Sequence, residues 1–150
     1  RDVERSRGLG DVYKRQDIND IKKMMDINLY SVFNICKYSP KILASSSNKS
    51  IINMLTPYAE NPVAGVCAYS SSKAALLNLS KSMAIEFEKY SIRVNSIMTD
   101  TIDTQVNRQE MPNAIFSKWI KPIQIFSAIE MLISKESKFI NGEIIKLSNE

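Results

Sequence analysis

Tyr69 and Lys73 stand four residues apart in the segment YSSSK, a spacing that puts a phenol and an ammonium on one helix face. A tyrosine ordinarily loses its proton near pH ~10, but a cation a few ångströms away favours the phenolate. Such a pair can exchange a proton with an alcohol or ketone oxygen near neutral pH. Taken alone, the same spacing also describes a solvated helix face, so its surroundings matter. Thirteen residues before Tyr69 stands Thr56, whose hydroxyl closes the apolar run SIINMLT. Open parallel sheets gather their ligands at such strand ends. Asn28 lies a further 28 residues upstream, within MMDINLYSVF.

The elements that must position these groups follow from apolar periodicity. Asp17 is a plausible N-cap for a helix to about Leu43, with Ile18, Ile21, Met25, Leu29, Val32, Phe33 and Ile35 recurring at three- and four-residue intervals. Ser50 to Thr56 reads as a strand closed by Pro57. A second long helix is expected from about Val66 to Tyr90, with Ala74, Ala75 and Ala84 permitting close packing. Ile92 to Met98 is the next strand, followed by a polar stretch and by amphipathic material around Trp119. A helix from about Ile123 to Ser134 and a strand from Glu143 to Ser148 complete the order. Helices alternating with continuous apolar strands predict an α/β domain, a Rossmann-like parallel sheet with right-handed crossovers.

Composition narrows the chemistry. The chain of 150 residues contains no histidine and two cysteines, which argues against metal sites and against any device that needs imidazole. No window approaches the ~18 apolar residues of a membrane span. The net charge is +4, and from Asp17 onward it falls to 15 basic against 13 acidic residues with no aromatic-basic stripe, which speaks against nucleic acid. Cys36 and Cys67 read as reduced, buried thiols of a cytoplasmic protein. Only four glycines occur, Gly8, Gly10, Gly65 and Gly142, and no three of them cluster as a phosphate-cradling loop requires. Residues 1–16 differ from the body in composition and periodicity; they resemble adapter-derived text and read as a non-native leader, loosely ordered. Residues 17–150 then read as the C-terminal part of a single domain that begins upstream of Asp17.

With Asn28, Thr56, Tyr69 and Lys73 at these intervals, and with INMLT, AYSSSKAALLNLSKSMAIE and the later VN and IDT segments around them, the chain resembles the short-chain dehydrogenase/reductase family from about Ile18 to Leu147. The resemblance implies an NAD(P)-dependent oxidoreductase that interconverts a small-molecule ketone and alcohol, in the manner of 3-oxoacyl-carrier-protein reductases. It makes Tyr69 the general acid/base and Lys73 the group that lowers its pKa and holds the nicotinamide-ribose hydroxyls. Thr56 falls on the family's serine position and orients the substrate oxygen. Asn28 keeps its helix locally open for a water chain toward Lys73. Ile102 and Thr104 match the segment that touches the nicotinamide carboxamide. It also implies a homodimer or homotetramer through the two long helices, with NAD or NADP left open.

The departures are Thr in place of Ser at 56, Thr99–Asp100 in place of Pro-Gly, a short polar stretch from Thr104 to Pro122, and LSNE in place of the closing Gly-Gly. Two other readings stand beside this one: a degenerate, non-catalytic relative acting as an interaction partner, and a sugar-nucleotide epimerase or dehydratase. As supplied, the chain is expected to present SIINMLT as an exposed sheet edge with Ile51, Ile52 and Met54 incompletely buried, to associate, and to lack activity alone.

Overall fold

The computed structural model describes residues 17–149; the expected leader lies outside the described residues. Three parallel strands form the sheet, in the order β1 (Ser50–Leu55), β2 (Arg93–Thr99), β3 (Ile144–Leu147). Ser50 pairs with Arg93 through to Leu55 with Met98, and Ser96 pairs with Ile144 through to Thr99 with Leu147. The helices are α1 (Ile18–Met25), α2 (Ser31–Ile42), α3 (Cys67–Glu86), α4 (Gln105–Glu110) and α5 (Pro122–Ile133). The alternation read from the sequence is therefore present, and the fold is the expected α/β arrangement.

Side chains on alternate strand positions point to opposite faces, and two helical layers use this. On one face Val94, Met98, Ile51 and Leu55 meet α2 and α3 through Val32, Cys36, Leu76, Leu79 and Met83. On the other, Ile97 is fully buried beneath Ala128 and Leu132 of α5, with Ile52, Met54, Ile145 and Leu147 beside them. Small residues bring α3 close to the sheet: Ser72, Ser80 and Ala84 are all buried, and Asn53 on β1 donates to Ser80 Oγ at 2.8 Å. β1 has a strand on one side only, and Ile51, Ile52 and Met54 are only half-buried, as expected for an edge.

Several boundaries differ from expectation. The first long helix is not uniformly α: a π-helical turn, Asp26–Tyr30, separates α1 from α2. Here the Ser31 amide bonds to the Asp26 carbonyl, while the Ser31 hydroxyl takes the Ile27 carbonyl that this amide would otherwise serve. α3 ends at Glu86, and Glu88–Tyr90 is a 3-10 turn closed by Ser91 at φ 57°. The polar stretch contains a helix, α4, capped by the Thr104 hydroxyl accepting from the Asn107 amide at 3.2 Å. β3 is entered through Asn141–Gly142. The Asn141 side chain accepts from the Val94 amide and donates to the Ala84 carbonyl, and Gly142 turns the chain at φ 79°. Asn95, 1% exposed, donates to the Ile140 carbonyl and accepts from the Glu143 amide, so it supports backbone. Of the cysteines, Cys36 is buried, but Cys67 is exposed in the first turn of α3, a correction to the expectation of two buried thiols. No helix among the described residues is long and apolar enough to cross a membrane.

Candidate active site

A cleft of about 620 Å³ opens at the C-terminal ends of β1 and β2. Its walls come from the end of β1 and the following turn (Thr56, Tyr58), from α3 (Tyr69, Lys73), and from the segment after β2 (Asp100, Ile102). A larger hollow of about 1120 Å³ lies at the opposite ends of the strands, beside Lys49, Arg93 and Phe139, and contains none of the candidate residues. Strand-end chemistry and the Tyr–Lys spacing both belong to the smaller cleft.

β1 carries Thr56 to this rim because Pro57, lacking an amide proton, ends the strand there and starts a 3-10 turn, Pro57–Ala59. Thr56 is buried, and it lines the cleft together with the Tyr69 phenol. That phenol is held above its ordinary pKa: burial raises it most, the Thr56 side chain lowers it, and the neighbouring Tyr58 raises it again. Lys73 lies one turn along α3, and burial pulls its ammonium below the usual lysine range. Its Nζ donates to the Met54 carbonyl at 3.0 Å. The ammonium is thus engaged by strand backbone, and the phenol responds first to burial.

Asn28 sits in the π-helical turn and does not line the cleft. Its Nδ2 donates to Ser72 Oγ at 3.0 Å, and Ser72 Oγ donates to the Tyr69 carbonyl at 2.7 Å. A two-bond chain thus runs from the interrupted helix to the backbone of the tyrosine. Ile102 lines the cleft and forms an isolated parallel bridge with Ile120. Thr104 does not line it; its hydroxyl is spent on capping α4. The structure thus brings Thr56, Tyr69, Lys73 and Ile102 together, and leaves Asn28 and Thr104 off the cleft wall.

Residues beyond those four complete the cleft. Asn107 donates to the Ile102 carbonyl at 2.8 Å, and Asn149 donates to the Trp119 carbonyl at 2.7 Å, tying α4 and the C-terminal segment to the rim. Trp119, 8% exposed, stacks against Phe116. The apolar residues around Trp119 signalled this packing in sequence; nothing there signalled Asn107 or Asn149.

The family model described as enoyl-(acyl carrier protein) reductase matches residues 5–148, a span that begins inside the segment read as a leader. The chain belongs to the short-chain dehydrogenase/reductase family. It is 30% identical over 138 residues to 2,5-dichloro-2,5-cyclohexadiene-1,4-diol dehydrogenase of Sphingobium indicum, covering 87% of this chain and 55% of that protein. It is 25% identical over 142 residues to 3-oxoacyl-(acyl-carrier-protein) reductase of Chlamydia muridarum, covering 89% and 57%. A solved structure of 4-hydroxyisoleucine dehydrogenase complexed with NADH superposes with a TM-score of 0.83 at 30% identity, covering 91% of this chain and 61% of that one. The chain spans about half the length of the curated relatives it matches.

Of the residues present, those at the cleft fit the nicotinamide-ribose end of such a cofactor: a half-buried ammonium, two hydroxyls and an apolar flank at parallel strand ends. Among the described residues no glycine lies at the cleft, so no phosphate cradle is built there.

Proposed function

We propose that this chain is the catalytic part of an NAD(P)-dependent oxidoreductase that interconverts a small-molecule ketone and its alcohol. The observation that carries the reading is that Thr56 at the β1 terminus, Tyr69 and Lys73 line one cleft, with Lys73 one turn from the tyrosine on α3. When bound, the nicotinamide supplies or accepts the hydride. The protein's part is to position and to move a proton. The Thr56 hydroxyl holds the substrate oxygen beside the phenol. Tyr69 Oη gives a proton to that oxygen in reduction and takes one in oxidation. Burial keeps the phenol protonated, which suits the reductive direction. Lys73, desolvated and already a donor to Met54, holds ribose hydroxyls with its remaining protons. Ile102 flanks the carboxamide, and Thr104 serves the same segment by capping α4 behind it.

Asn28 positions Tyr69 through Ser72, and the π-helical turn is the local opening that its role requires. Exposed Tyr30, Phe33, Tyr38 and Ile42 on the first long helix and Ile85 on α3 support pairing through these helices, as a homodimer or homotetramer. A cytoplasmic setting fits two thiols in no disulfide.

The test is made on the full-length protein with its nucleotide-binding half present. Secondary alcohols are offered with NAD or NADP, and the near-ultraviolet absorbance of the reduced nicotinamide is followed. Alcohol-dependent reduction supports the reading; its absence across a broad alcohol and ketone panel, with cofactor bound, overturns it.

A further inference from the structure

Two charges in the cleft have no side-chain partner among the described residues. Asp100 stands at the end of β2 and Lys118 in the 3-10 turn Phe116–Lys118, and both line the cleft and are exposed. The other cations nearby are engaged: Arg108 forks onto Asp103, Lys146 pairs with Glu60, and Lys73 holds the Met54 carbonyl. Neither Asp100 nor Lys118 makes an ion pair or side-chain hydrogen bond to another described residue. The backbone nonetheless brings them to one place. Ile102 and Ile120 form a parallel bridge, with the Ile120 amide on the Thr101 carbonyl, and each charged residue lies two positions before its bridge residue.

We propose that Asp100 and Lys118 read a zwitterion, so that the substrate carries an ammonium for Asp100 and a carboxylate for Lys118 besides its reacting hydroxyl or carbonyl. This rests on the oxidoreductase reading of the same cleft. A carboxylate alone faces the repulsion of Asp100, and an amine alone faces Lys118 and Lys73; a hydroxy-amino acid answers both signs. Met111 and the buried Trp119 line the same cleft and supply an apolar bed for the carbon skeleton between the charged ends. The substrate class is therefore hydroxy-α-amino acids and the corresponding oxo-amino acids.

Four alcohols of one carbon skeleton test this in the full-length protein: the hydroxy-amino acid, its methyl ester, the hydroxy acid lacking the amine, and the neutral alcohol. The amino acid is expected to exceed each of the others in kcat/KM by at least tenfold, the weight of one charge-assisted hydrogen bond. Lys118→Gln should cut the acid-to-ester ratio at least tenfold, with Lys118→Arg restoring most of it, and Asp100→Asn should do the same to the amine-to-deaminated ratio. A neutral alcohol used as well as the amino acid, or ratios that neither variant moves, overturns the inference. Under either result, turnover of the neutral alcohol that disappears in Tyr69→Phe leaves the oxidoreductase reading standing. Failure of all four alcohols overturns both.

Discussion

Removing the Asn28 side chain tests whether the interrupted helix is mechanically tied to the catalytic tyrosine. Asn28 Nδ2 donates to Ser72 Oγ at 3.0 Å, and the same hydroxyl donates to the Tyr69 carbonyl at 2.7 Å. A neutral hydrogen bond of this kind contributes about 0.5–1.5 kcal/mol net. In Asn28→Ala the Ser72 hydroxyl keeps its own acceptor, so no donor is stranded, and alanine recovers about 0.5 kcal/mol of helix propensity. The single variant is therefore expected to lose only about 0.5 kcal/mol, a melting shift of about 1–2 °C for a domain of this size. Ser72→Ala removes a fully buried hydroxyl that makes both bonds and should cost about 1–2 kcal/mol. The decisive quantity is the coupling in the double-mutant cycle, expected at about 0.5–1 kcal/mol because the two side chains share one bond. Urea denaturation of the four full-length proteins measures it, and kcat on the same samples reports whether Tyr69 has shifted. Additive losses, with coupling below about 0.3 kcal/mol, refute the tie between the π-helical turn and α3.

Thr56→Ala should lower kcat/KM by at least about tenfold, since it removes the group that meets both phenol and substrate oxygen; Thr56→Ser should retain most of the activity, and a null effect of Thr56→Ala contradicts its role. The raised pKa of Tyr69 also has a stability consequence. Above pH 10.0, its ordinary value, the unfolded chain ionises while the buried phenol resists, so wild-type stability falls with rising pH through the folded pKa, whereas Tyr69→Phe lacks this loss. Comparing urea midpoints of the two proteins at neutral pH and above pH 10.0 checks the sign, with the difference moving in favour of Phe. Leu132→Ala, at a side chain with no exposure between α5 and Ile97, should cost about 2–5 kcal/mol without changing which substrates are used.

Much of the layout is legible in the sequence because apolar periodicity and strand-ending Pro57 are local signals. The Tyr69–Lys73 face and the Thr56 terminus are likewise set by spacing along single elements, and the sheet brings them together as parallel strands must. What the sequence hid was non-local. The π-helical turn at Asn28 keeps the apolar recurrence of an ordinary helix, so periodicity does not distinguish it. The Lys73 ammonium went to the Met54 carbonyl, 19 residues away in the chain, a contact that spacing cannot reveal. Thr104 caps α4, a helix too short and too polar to announce itself in the sequence. Cys67 was read as buried by residue type alone, whereas its place in the first turn of α3 leaves it in solvent.

The most direct measurement is single-turnover kinetics of Tyr69→Phe in the full-length protein, alongside cofactor titration by calorimetry. Phenylalanine keeps the ring and its packing and removes only the oxygen assigned to meet the substrate. The account predicts a fall in the chemical step of about 10²–10⁴-fold, the usual contribution of a positioned acid/base, with cofactor affinity changed no more than about threefold. A variant that turns over at the wild-type rate would contradict the central claim that Tyr69 Oη carries the proton.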